Sequence, residues 1–127
     1  MNTIYRVWYR RMSTTDNESD RFIAYIGRTK QDITQRIRQH YFTHPFMKTL
    51  DIDRTTYIDY TTFATVADMY VAEIILINLY KPPLNVDDKA KDDLTLDIKL
   101  PPIEWILWNK PHLIEKWAKE LEGRQRR

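Results

Sequence analysis

Arg36 and His40 stand four residues apart in a stretch whose periodicity predicts a helix, so the two side chains share one face. A guanidinium matches phosphate geometry and cannot lose its proton, and an imidazole can orient or protonate a neighbouring group. On an arbitrary helix the same pair is an ordinary solvated face. Glu73 is the second residue that invites chemistry. Val71, Ala72, Ile74, Ile75, Leu76 and Ile77 surround it, so its helix is expected to be buried on most sides. An unpaired carboxylate there costs roughly several kcal/mol unless it is compensated. Two compensations are open: a salt bridge to an arginine, or a divalent cation bound through oxygen. Tyr5 and Tyr25 fall on strands that precede the Arg36 helix. A strand tyrosine usually packs, but a phenol held beside a metal or an arginine can serve in proton transfer. Asn85 follows Pro82-Pro83-Leu84 and by itself is a turn residue.

These side chains need elements to carry them. Residues 4–9 are rich in strand formers and read as a first strand, and residues 21–26 as a second, joined by a polar loop over 13–20. Gly27, one of two glycines in the chain, ends the second strand and marks a backbone that needs positive φ or close approach. Asp32 with Gln35 resembles a capping box, and Ile33, Ile37 and Tyr41 give the helix after it a buried stripe. Pro45 limits that helix. Residues 56–63 form a third strand. Thr65 with Asp68 caps a helix over 66–80, apolar almost all round, which Pro82 and Pro83 stop. Residues 86–99 are polar and acidic, an irregular segment. Pro101 and Pro102 open a last helical region holding Trp105, Trp108 and Trp117, with Pro111 as an internal break or a new first turn. At helical spacing these tryptophans form a packing layer more often than a platform for stacking on bases. Residues 124–127 make a basic, frayed tail.

Composition narrows the function classes. The 127 residues suit one domain, and 43% hydrophobic content supports a real core. The absence of cysteine excludes disulfides, thiolate zinc sites and a thiol nucleophile. Two glycines cannot build a phosphate-cradling loop, and no serine sits in a Gly-x-Ser-x-Gly elbow. His40 and His44 are four apart, but without another helical histidine or a nearby carboxylate they do not make a zinc site. Arg6, Arg10 and Arg11 interrupt any apolar signal core, and the apolar run over 71–79 is too short for a bilayer, so no membrane association and a cytoplasmic location are expected. Net charge is only +2, but Arg28, Lys30, Arg36 and Arg38 crowd one stretch, a basic patch suited to nucleic acid.

Taken together, these residues resemble the GIY-YIG nuclease family. Tyr25-Ile26-Gly27 reads as the second of its two name motifs, and Thr29, Arg36 and His40 follow at the family's spacing. Ala67-Asp68, Glu73, Ile77, Tyr80-Lys81-Pro82 and Leu84-Asn85 look like its glutamate helix and closing element. The first motif appears as Thr3-Ile4-Tyr5, with threonine in place of glycine. An alternative alignment uses Val7-Trp8-Tyr9; Tyr5 is preferred because a longer hairpin absorbs the spacing back from Tyr25.

The resemblance implies an α/β (α+β) fold, a small three-stranded antiparallel sheet flanked by helices. It would cover residues 1–90, with 91–127 as a linker and C-terminal helical extension packed on or beside it. It implies a divalent-metal-dependent DNA endonuclease that hydrolyses phosphodiester bonds. One Mg²⁺ or Mn²⁺ would be held by Glu73. Tyr5 would help activate water, Arg36 would stabilise phosphate charge, and Tyr25 and His40 would position water or phosphate. Gly27, Thr29 and Asn85 would support the site, and Arg28, Lys30 and Arg38 would contact DNA. The alternative is a non-catalytic nucleic-acid-binding module on the same fold.

Overall fold

The first strand is buried on both of its faces, and that dictates the architecture. In the computed structural model, which describes residues 1–11, 21–43, 50–85 and 93–125, β1 (Asn2–Arg10) lies between β2 (Arg21–Thr29) and β3 (Thr55–Phe63), antiparallel to both. Residues 3–7 of β1 are all buried. Tyr5, Val7 and Tyr9 face one core with Ala24, Ile37, Tyr41, Ile58, Trp108 and Trp117. Ile4 enters a second core with Ile23, Ile26, Met69, Ala72, Leu76 and Ile77. Helix α1 (Ile33–Phe42) and helix α3 (His112–Gln125) thus cover one face, and α2 (Val66–Tyr80) covers the other. A strand covered on both faces loses the simple apolar–polar alternation of a half-buried one.

Helix boundaries follow local chemistry. Asp32 caps α1 by accepting from the Gln35 backbone N–H at 3.2 Å, and Thr65 caps α2 through Asp68 N–H at 3.0 Å. Lys81 closes α2 in the left-handed region at φ 46°, its N–H donating to the Ile77 carbonyl at 2.8 Å, and Pro82 prevents continuation. The end of α1 at Phe42 is described; Pro45, which was expected to limit it, and His44 lie outside the described residues. So do the 13–20 loop, residues 86–92 and the last two of the tail.

Three expectations need correction. The second strand does not end at Gly27 but runs on to Thr29. Among the described residues the sheet has four strands and not three, in the order β2-β1-β3-β4, and the fourth, β4 (Ile106–Leu107), falls where a helix was expected. Prolines at 101, 102 and 111 bracket that stretch, leaving too little chain for a stable helix. Its backbone instead docks on the open edge of β3: Asp59 pairs with Leu107, and Trp108 N–H donates to the Ile58 carbonyl at 2.8 Å. Pro111 immediately precedes α3, whose Leu113, Ile114, Trp117 and Leu121 pack on the first core. Trp108 and Trp117 stack at 6.0 Å, and Trp108 Nε1 donates to Thr34 Oγ1 at 3.0 Å. Lastly, α2 is not buried on most sides. Met69, Ala72, Leu76 and Ile77 meet the sheet, while Tyr70, Val71, Ile74 and Leu79 are exposed, because a single sheet layer covers only one side of a helix. No described helix is long and apolar enough to cross a membrane.

The second core holds a buried ion pair. Arg6 donates to Asp59 through Nε at 2.8 Å and Nη2 at 2.5 Å, and the Trp105 ring covers the guanidinium at 3.7 Å. Trp8 Nε1 also donates to Asp59, at 3.3 Å. Removing one partner leaves a buried charge behind. Asp59→Ala should therefore lower the unfolding free energy in urea by about 3–5 kcal/mol. Arg6→Met with Asp59→Leu should cost much less than the sum of the two single losses.

Candidate functional site

The site is built on the β1–β2 pairing. Tyr5 lies opposite Gly27 and Val7 opposite Tyr25, so the Tyr5 and Tyr25 side chains project toward α1. The scarce glycine is explained by close approach and not by backbone sign, since its φ is not positive. A Cβ on Gly27 would stand 2.5 Å from Tyr5 Cζ and 2.8 Å from Tyr25 Cε1. Only a hydrogen leaves room for the Tyr5 phenol to cross the partner strand. Thr29, opposite Thr3, is buried, and its Oγ1 accepts from the Gln31 N–H at 2.9 Å, which turns the chain from β2 into α1.

From α1 comes His40, fully buried, with Nε2 at 2.5 Å from Tyr5 Oη. The imidazole lies 5.8 Å from the Tyr5 ring and 5.0 Å from the Tyr25 ring, edge-on to both. Burial, with the Arg36 charge added, lowers the His40 pKa from 6.5 to about 4. Burial and the neighbouring Tyr25 raise that of Tyr5, against the opposing pull of Arg36. Burial likewise raises that of Tyr25. At neutral pH the phenol therefore keeps its proton and the imidazole is neutral. Tyr5 O–H donates to His40 Nε2, which assigns the ring proton to Nδ1. Arg36, one turn before His40, holds its positive charge beside both phenols.

The other half arrives from the opposite face of the sheet. Arg28 on β2 pairs with Ile4 and so points toward α2, where its Nη1 forms an ion pair with Glu73 Oε1. The Glu73 side chain is 11% exposed and that of Arg28 43%, and Arg28 rests over the Tyr70 ring at 4.5 Å. Glu73 is close enough for its negative charge to add to the raised pKa of Tyr5 and Tyr25, behind the larger effect of burial. Asn85 fastens the β2 edge from outside. Its Oδ1 accepts from the Ile26 N–H at 2.8 Å, and its Nδ2 donates to the Ile26 carbonyl at 2.7 Å.

Tyr5, Tyr25, Arg36, His40 and Gly27 are thus in one cluster, with Glu73 at its margin and Asn85 and Thr29 holding the strand. Tyr9, the alternative first-motif tyrosine, lies elsewhere; its hydroxyl accepts from the Asp51 N–H. Of the residues expected to contact DNA, Arg28 is engaged by Glu73, and Lys30, two residues on, is exposed. Arg38 turns away, lying 3.6 Å from Glu120 on α3 and over the Phe42 ring. The helical periodicity that joins Arg36 to His40 puts Arg38 on another side of α1.

The donor set decides which ion suits the site. The described residues hold no group of three or more His, Asp or Glu able to bind a metal. A dehydrated zinc site is therefore a poor fit. A single carboxylate such as Glu73 would suit only a Mg²⁺ or Mn²⁺ that keeps most of its water. Arg28 as partner of Glu73 was not singled out from sequence. The signal was present, because Arg28 follows the Gly27 close approach and strand alternation sends it to the face opposite Tyr25.

The lowered His40 pKa has a measurable sign. The folded chain binds fewer protons at His40 than the unfolded chain between pH 4 and 6.5. The contribution, roughly 3 kcal/mol, is full above pH 6.5 and is lost as pH falls toward 4. In an NMR titration the His40 ring signals should stay neutral down to about pH 5. Gly27→Ala, which displaces Tyr5, should move the midpoint back toward 6.5; a wild-type midpoint near 6.5 would refute the buried Tyr5–His40 bond. No protein-family model, curated protein or solved structure matches this chain.

Proposed function

We propose that the chain is a divalent-metal-dependent endonuclease of the GIY-YIG type, hydrolysing phosphodiester bonds in DNA. The observation that carries this reading is the approach of two distant segments to the same β1–β2 pair. Tyr5, Tyr25, Arg36 and His40 gather on one face of the β1–β2 pair, and Glu73 lies on the other, paired with Arg28 of β2 and near enough to act on both phenols. Either half alone has an ordinary explanation. The order β1, β2, α1, β3, α2 also agrees with the resemblance.

Each residue's part follows from its state. Arg36 carries a permanent positive charge beside both phenols and would take up the charge that grows on a phosphate in the transition state. Tyr5 is a protonated phenol hydrogen-bonded to a neutral imidazole. It can accept a proton on Oη only as it passes its own to His40 Nε2, so the two side chains act as a relay. Both lie deep, which fixes their geometry and makes charge separation between them costly. The relay therefore serves a proton donor that is already acidic. Tyr25 packs against both rings and, being less buried than they are, would help position a water or a phosphate oxygen there. A Mg²⁺ or Mn²⁺ held by Glu73 would supply Lewis acidity and an acidified water.

One observation favours a second reading. Glu73 is occupied by Arg28, as the carboxylate of a non-catalytic nucleic-acid-binding module on this fold could be. Cleavage separates the two. With Mg²⁺ or Mn²⁺ the protein should nick supercoiled plasmid, and a chelator should stop it. Glu73→Ala and Arg36→Ala, checked for folding by circular dichroism, should lose about a hundredfold or more in rate. Salt-sensitive binding without cleavage of supercoiled, branched or single-stranded DNA would establish the binding module instead.

A further inference from the structure

Arg28 occupies the one carboxylate that the nuclease reading assigns to the metal. A guanidinium and a divalent cation held on the same carboxylate repel each other, so the ion pair and the loaded site disfavour one another. The exposures of the two partners say which one moves. Glu73 is fixed on the inner side of α2, whereas Arg28 is 43% exposed and sits at the protein surface on the edge strand. The Tyr70 ring at 4.5 Å gives the guanidinium a cation–π seat that reinforces the paired state. Arg28 also has a natural second ligand, because the two non-bridging oxygens of a phosphodiester can accept a pair of guanidinium N–H bonds as a carboxylate does.

Resting on the nuclease reading, we propose that Arg28 is a built-in counter-ion that keeps Glu73 closed to metal until a backbone phosphate of nucleic acid draws the guanidinium away. The metal and the substrate phosphate then favour one state and the Arg28–Glu73 pair the other, so the two ligands assist each other by linkage. Apparent metal affinity without nucleic acid is reduced by the fraction of molecules in which Arg28 has left. The consequence is order of assembly: the site charges with metal where phosphate is present and stays quiet elsewhere.

The test is a Mn²⁺ titration read by the electron paramagnetic resonance signal of the free aquo ion, with no nucleic acid and no turnover. Arg28→Ala should bind Mn²⁺ about fivefold to tenfold more tightly than wild type, within the usual range of coupling between sites. Arg28→Gln provides the same comparison should the alanine variant fold poorly. Lys30→Ala removes an equal charge close by and should shift the affinity by less than about threefold, since a solvated charge is screened. The tight binding should vanish in Arg28→Ala with Glu73→Gln. Equal affinities of wild type and both Arg28 variants, all abolished by Glu73→Gln, would overturn the counter-ion role and leave the nuclease reading intact. An effect of Lys30→Ala as large as that of Arg28→Ala would overturn it as well, reducing it to net charge. Absence of Glu73-dependent Mn²⁺ binding in every variant would overturn the metal-dependent reading itself.

Discussion

Tyr5 and Gly27 face each other across β1 and β2, and the space between them sets the geometry of everything nearby. The phenol crosses the partner strand at a distance no side chain there would permit. That crossing lets Oη reach His40 on a helix that packs against the same face. It also crowds Tyr25 against the same imidazole. Shift the register of β2 by one residue and the glycine moves to the other face, while Tyr25 leaves the cluster. The pairing of two strands thus determines the distance, the protonation states and the burial of the group that follows.

Among the described residues, two arginine–carboxylate pairs lie on the same face of the sheet, and their surroundings give them different characters. Arg6 and Asp59 are both nearly inaccessible, joined by two hydrogen bonds and sealed under Trp105. Such a pair contributes definition to the core more than net stability. Arg28 and Glu73 are unequally exposed, with the cation at the surface and the anion beneath it. The first pair has nowhere to go, and the second has solvent on one side. That difference in covering makes one of them structural and the other available for exchange.

Much of this arrangement is legible in residue order. The helix over 66–80 is announced by Thr65, Asp68 and Pro82, and the Asp32 cap of α1 by its neighbour Gln35, because caps and breakers act within a few residues. Three strands follow from β-branched and aromatic runs. The fourth is not legible. Ile106 and Leu107 carry no pattern of their own and become a strand only because β3 has an open edge to meet them. The same holds for Arg6 with Asp59 and for Arg28 with Glu73, whose partners are distant in the chain. The open outer face of α2 also escapes a local reading, since an apolar helix gives no sign of how many layers will cover it. In the candidate site, the cast of residues is visible in sequence and the proton arrangement between Tyr5 and His40 is not.

Asn85 has one more consequence. β2 is an outermost strand, and such a strand normally offers unpaired amides and carbonyls to any passing chain. Here the Asn85 carboxamide takes both the N–H and the carbonyl of Ile26, and the Leu84 N–H takes the carbonyl of Ala24. A short segment after α2 thereby imitates a neighbouring strand without being one. The rim that carries Tyr25 and Gly27 is closed to templated growth by a second sheet, so the protein can leave this edge bare of strands without inviting fibrillar self-association.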